Sequence, residues 1–246
     1  MTGFWRHPAT FEHRMAIKLT WLGHATWSIE TDAGTILLDP FLGDNPSATI
    51  KADEANADLI LVSHGHADHI ADAAEIANRI GATVVTNYEI AQWLQQNHGV
   101  KNAIGMNIGG STQTDLGKIK MTPALHSSGL PDGSYGGCPA GFVLTLNDDG
   151  VKKTIYFACD TGLFSDMRLI GETGIDVAVL PIGDLFTMGP EDAVAATNLI
   201  QPTHVLPTHF DTWPPIEQNA EQWAEQIRSK TKAQPTVLKP GDSFSP

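Results

Sequence analysis

The sequence predicts an α/β protein built from two β-sheets packed together, with helices outside. Two observations predict it. Closely spaced alternating runs near the start read as antiparallel hairpins, and strand–loop–helix–strand alternation follows them. From about Asn107 the second half repeats this layout. Hairpins and βα units mixed in this way suit stacked layers around a buried core. No stretch is rich enough in Pro, Gly or Ser to divide the chain. The expectation is one domain of two similar halves over residues 15–246, preceded by an irregular extension over residues 1–14.

The elements follow in order. Ile17 to Leu22 and Thr26 to Thr31 alternate, and Thr35 to Asp39 is a third short run entered through Asp32-Ala33-Gly34. Asp58 to Ser63 is almost continuously apolar, as expected of a strand buried on both faces. Ile70, Ala73, Ala74, Ile76, Ala77 and Ile80 mark a helix that ends at Gly81, a glycine suited to a left-handed cap. Ala82 to Thr86 is a strand and Glu89 to Gln96 a helix. The second half has strands over 117–125, 140–146 and 153–158, then a buried strand over 175–180. A helix over 191–199, a strand over 203–206, a helix over 217–230 and a last strand at Val237-Leu238 complete it. Residues 129–139 are the most turn-rich stretch and lie just past His126, where a loop over a site is expected.

Composition narrows the function. The chain has 246 residues, 41% hydrophobic and 17% charged, which suits a globular protein. No apolar run is long enough to span a bilayer, and the start lacks the pattern of a secretory signal, so the cytoplasm is expected. A net charge of −13 argues against broad nucleic-acid binding, which needs a basic footprint. A small-molecule substrate fits better, and a homo-oligomer is compatible with the sequence. Two cysteines, Cys138 and Cys159, do not make a disulfide framework.

The chemistry is concentrated in His64-x-His66-x-Asp68-His69, where a buried strand hands over to a helix. Three imidazoles and a carboxylate this dense gain little from packing and repel one another if protonated. They are the donors that zinc and related cations take. Further donors should come from other strand ends. His126, Asp160 and His209 each stand just past an apolar run. Any one alone is more often a surface or core residue; beside the first motif, the three together reverse those odds.

These residues resemble the metallo-β-lactamase superfamily. Within it the chain is similar to a small family of metal-dependent hydrolases of bacteria and archaea, close to the ascorbate-phosphate lactonase and N-acyl-phosphatidylethanolamine phospholipase branches. The likeness runs from about Met15 to the C-terminus. Asp39 in Leu-Leu-Asp-Pro matches the early acidic motif. Gly23-His24-Ala25 and Thr187-Met188-Gly189-Pro190 point to the smaller family. The resemblance implies the αββα sandwich with the site at one edge between the sheets. It also implies two divalent ions, zinc foremost, with manganese, iron or nickel also suited to such donors. One ion would take His64, His66 and His126, the other Asp68, His69 and His209, and Asp160 would bridge them. True β-lactamases commonly carry Cys where this chain has Asp160, so antibiotic cleavage is not the expected role.

Two dications less the charges of Asp68 and Asp160 leave the site positive, suited to hydroxide and to a carbonyl or phosphoryl oxygen. Asp68 is the expected residue to orient the nucleophile and carry a proton. Asp39 is expected to accept a hydrogen bond from a ligand histidine or a backbone amide. His24 either reaches the substrate or is a core histidine, and Thr187 is expected near the pocket. The leading function is hydrolysis of a small ester, lactone, amide or phosphodiester. The alternatives are a mononuclear iron oxygenase on the same scaffold and a non-catalytic metal-binding protein.

Overall fold

The computed structural model describes residues 16–148 and 150–246. The expected extension over residues 1–14 lies outside the described residues. The first half contains β1 (Lys18–Gly23), β2 (Thr26–Thr31), β3 (Gly34–Leu38), β4 (Leu59–Leu61), α1 (Ala67–Ile70), α2 (Ala73–Ile80), β5 (Thr83–Asn87), α3 (Tyr88–His98) and β6 (Ala103–Met106). The second contains β7 (Ser111–Thr114), β8 (Gly117–Pro123), β9 (Ala140–Asp148), β10 (Val151–Phe157), α4 (Met167–Gly171), β11 (Val177–Pro181), α5 (Pro190–Ile200), β12 (His204–Thr208), α6 (Ala220–Lys230), β13 (Gln234–Pro235) and β14 (Ser243–Phe244).

These strands form two seven-stranded sheets, ordered β14-β1-β2-β3-β4-β5-β6 and β13-β12-β11-β10-β9-β8-β7. Each sheet is antiparallel through its hairpins and parallel through its βα units. The change comes at β3 in the first sheet and at β10 in the second. Both sheets thus pass from antiparallel hairpins to parallel strands.

Alternation along single strands builds the layers. Leu59 and Leu61 join the large core that also takes Ile119, Phe142 and Leu144 of the second sheet. Ile60 and Val62 point the other way, into a second core with Ile76 of α2 and Ile90 and Leu94 of α3. Strands buried on both faces need helices outside. The result is the αββα sandwich.

Several local details depart from the sequence pattern. The helix expected across 70–80 is broken between α1 and α2. Asp72 explains the break: its amide donates to Pro40 O at 3.1 Å, and its Oδ2 accepts from Leu42 N and Gly43 N at 2.6 and 3.0 Å. Gly81 does cap α2 in the left-handed region, with φ 76°. The last strands also differ. Val237-Leu238 forms no strand; their side chains pack on the core instead. Gln234–Pro235 pairs with β12, and Ser243–Phe244 returns to pair with β1 of the other sheet. α6 begins at Ala220 rather than 217, because Asn219 caps it by accepting from Gln222 N at 3.0 Å. Among the described residues no helix is long and apolar enough to cross a membrane.

Candidate metal centre

The pairing directions bring the functional residues to one edge. β1 and β3 run the same way, and β4 is parallel to β3. In the second sheet β8, β10 and β12 likewise run together. His24 follows β1, Asp39 follows β3, and His64 lies just past β4. His126, Asp160 and His209 follow β8, β10 and β12. Each of these residues sits at a carboxyl end, where open α/β sheets place their sites. Residues at the rim hold an unusual backbone. His24, Asp39, Cys159 and His209 have φ of 53°, 44°, 53° and 55°. Such strained non-glycine residues persist where the surroundings over-determine them. At His24 the cause is visible: its carbonyl accepts from Trp21 Nε1 at 2.9 Å, Thr208 Oγ1 at 2.9 Å and His209 N at 3.0 Å.

Three overlapping groups of donors result among the described residues. His64, His66 and His126 form the first, His24, Asp68, His69 and His209 the second, and Asp39, His64 and His69 a third. Asp160 Oδ2 lies between the first two, 3.0 Å from His209 Nε2, 3.3 Å from His69 Nε2 and 3.6 Å from His126 Nε2. In the first group, His66 Nδ1 is 3.0 Å from His64 Nε2 and 3.2 Å from His126 Nε2. Nitrogens that share a tetrahedral zinc stand about 3.3 Å apart, given bonds of about 2.05 Å. His69 Nε2, both ring nitrogens of His209 and Asp160 Oδ1 are buried without a hydrogen-bond partner. Orphaned buried donors and acceptors are costly, and a cation would satisfy His69 Nε2 and one ring nitrogen of His209. The residues present therefore fit a metal centre.

Electrostatics agree. Burial, then the neighbouring His69, hold His64 well below the usual histidine range, and burial also lowers His66 and His126. These rings are neutral, as metal ligation requires. Burial works against ionisation of Asp160, but His209 and His69 override it and hold the carboxyl well below the usual range. Asp68 is lowered in the same way, against burial, by the hydrogen bond from His24 and the nearby His69. His69 is the exception. Burial disfavours its charge, yet the flanking carboxylates of Asp160 and Asp39 raise it well above its ordinary value. Without a cation it holds a proton that a metal would displace.

The other expected residues make contacts of their own. Asp39 accepts from His69 Nδ1 at 2.8 Å and from Ser63 N at 2.7 Å. His24 is fully buried, with Nε2 3.2 Å from Asp68 Oδ2 and Nδ1 2.8 Å from Thr212 Oγ1. The Thr187 hydroxyl donates to Met188 O at 3.3 Å within its own turn. Met188 N does reach Thr161 O at 2.9 Å, next to Asp160. Cys159 is a buried free thiol that donates to Phe157 O, and Cys138 is also unpaired. Sequence reasoning missed Ser63, Ser127 and Ser128. Ser127 Oγ is 3.2 Å from His66 Nε2, and Ser128 Oγ accepts from Gly65 N at 3.0 Å. Their positions beside motif histidines were the available signal. His66, Asp68 and His126 are partly exposed, whereas the other donors are buried, so the centre opens on that side.

This fold and donor set suit a metallohydrolase, and comparison with known proteins agrees. Residues 34–210 match the β-lactamase superfamily domain, and the chain belongs to that family. A UPF0173 metal-dependent hydrolase of Pelotomaculum thermopropionicum is 48% identical over 93% of this chain and 99% of its own length. A second UPF0173 relative, from Thermus thermophilus, is 46% identical over 92% and 97%. Igni18, a metallo hydrolase of Ignicoccus hospitalis, superimposes with a TM-score of 0.82 at 37% identity, covering 94% and 98%. The chain is a metal-dependent hydrolase of the metallo-β-lactamase fold.

Proposed function

We propose that the chain binds two divalent ions and hydrolyses a small ester, lactone, amide or phosphodiester. One observation carries the metal reading. Ser63 Oγ donates its single proton to Asp39 Oδ2 at 2.6 Å, so it accepts from His64 Nδ1. The lone pair of a neutral His64 is then on Nε2, which faces His66 Nδ1 at 3.0 Å and belongs to the His64–His66–His126 group. Imidazole lone pairs converging at that distance call for a cation between them. The first ion would take His64, His66 and His126. The second would take Asp68, His69 and His209, with Asp160 between the two.

Bound divalent ions supply an activated water near neutral pH and positive charge against which negative charge can develop. Asp68 is partly exposed on the open side, and it can orient the attacking water and carry its proton to the leaving group. His24 holds that carboxylate from behind. Zinc is the proposed metal and the cytoplasm the proposed location, with residues 15–246 acting as one domain. The clustering of His69 and His209 with Asp68 favours two ions over the one-iron oxygenase alternative. Metal content of protein purified without added metal is the test. About two ions per chain, falling in Asp160→Ala, would support the centre and justify a screen of lactones and phosphodiesters. One iron per chain, unaffected by Asp68→Ala, would overturn it.

A further inference from the structure

Behind the donors lies a dry polar network centred on Asp39. Asp39, Ser63, His64 and His69 are all 0% exposed, so water does not compete for their hydrogen bonds. Asp39 Oδ1 accepts from Ser63 N at 2.7 Å, and Oδ2 accepts from Ser63 Oγ at 2.6 Å. The same Oδ2 lies 2.8 Å from His69 Nδ1. An ionised carboxylate only accepts, so His69 Nδ1 is the donor. Ser63 has one hydroxyl proton and gives it to Asp39. Its oxygen therefore accepts from His64 Nδ1 at 2.9 Å. Both rings are thus held with Nδ1–H turned inward and Nε2 turned toward the donors. His64 belongs to the group with His66 and His126, and His69 to the group with Asp68 and His209.

We infer that Ser63 and Asp39 form one positioning clamp that sets the tautomer of one imidazole in each half of the metal centre. Asp39 acts directly on His69 and, through the Ser63 hydroxyl, on His64. The Ser63 hydroxyl touches only the His64 ring directly and reaches His69 only through Asp39 Oδ2. This rests on the two-ion reading above. Ring partners of this kind fix ligand orientation, and their loss typically costs 10–100-fold in metal affinity.

The clamp makes an asymmetric prediction. Zinc is titrated into the stripped protein against a chromophoric chelator, and His126→Ala and His209→Ala identify which binding step belongs to which half. Ser63→Ala should weaken the step lost in His126→Ala by about 10–100-fold and weaken the step lost in His209→Ala much less. Ser63→Thr, which keeps the hydroxyl, should restore it. Asp39→Asn should weaken both steps. Equal weakening of both steps by Ser63→Ala, or no change in either, would overturn the clamp. Proton NMR of the stripped protein gives a reading independent of metal. Ser63→Ala should abolish the slowly exchanging Nδ1–H signal of His64 and keep that of His69. Wild-type protein that binds no zinc would sink the metal reading, while the two N–H signals would still decide the clamp.

Discussion

Acid destabilises the metal-free chain through His24. Burial and the neighbouring His209 lower its pKa from 6.5 to about 4, against the hydrogen bond to Asp68. An unfolded chain therefore takes up a proton at His24 below pH 6.5, while the folded chain refuses it until about pH 4. Stability from this residue is full above pH 6.5 and is lost as the pH falls toward 4. That interval is worth about 3 kcal/mol, at roughly 1.4 kcal/mol per pH unit. The perturbation is His24→Gln, which removes the titration and keeps an amide donor for Asp68. The assay is urea unfolding of stripped protein at neutral pH and at about pH 4. Wild type should lose about 3 kcal/mol more than the variant over that interval. Parallel losses in the two proteins would refute the reasoning, because His24 would then titrate alike folded and unfolded.

Two further outcomes separate fold from site. Gly23 has φ +105°, and a Cβ there would lie 2.5 Å from Ser47 O, so Gly23→Ala should cost more than about 1 kcal/mol. It should also weaken metal binding by displacing His24, measured by thermal melts and zinc titration on the same samples. Leu144 is fully buried in the inter-sheet core, and Leu144→Ala should cost about 2–5 kcal/mol in urea unfolding. Metal content of its folded fraction should match wild type.

Much of this was legible in the chain. The sheet layout showed because the hairpins keep a period of two and the βα strands are continuously apolar. The broken helix at Asp72 did not show, since nothing local reveals that its carboxylate will meet Leu42 N and Gly43 N from the end of β3. β6, β7 and β14 were missed because they are short strands at or near sheet edges, with weak patterning. His24 was left open because its role depends on Asp68 and Thr212, which are 44 and 188 residues away.

The sequence by itself determined the donor inventory, since His64, His66, Asp68 and His69 are dense enough to need no fold to be noticed. It also set the strand ends at which His126, Asp160 and His209 stand. Tertiary structure decided which donors meet. The residues that follow β4, β10 and β12 meet at one edge, with Asp160 between two groups of donors. It also decided tautomers: one buried carboxylate, Asp39, turns His64 and His69 outward through hydrogen bonds that link separate segments of the chain. The physical reason is range. Periodicity and ligand chemistry are local and are written along the chain, whereas a ring's orientation is set by whichever buried partner the fold brings behind it.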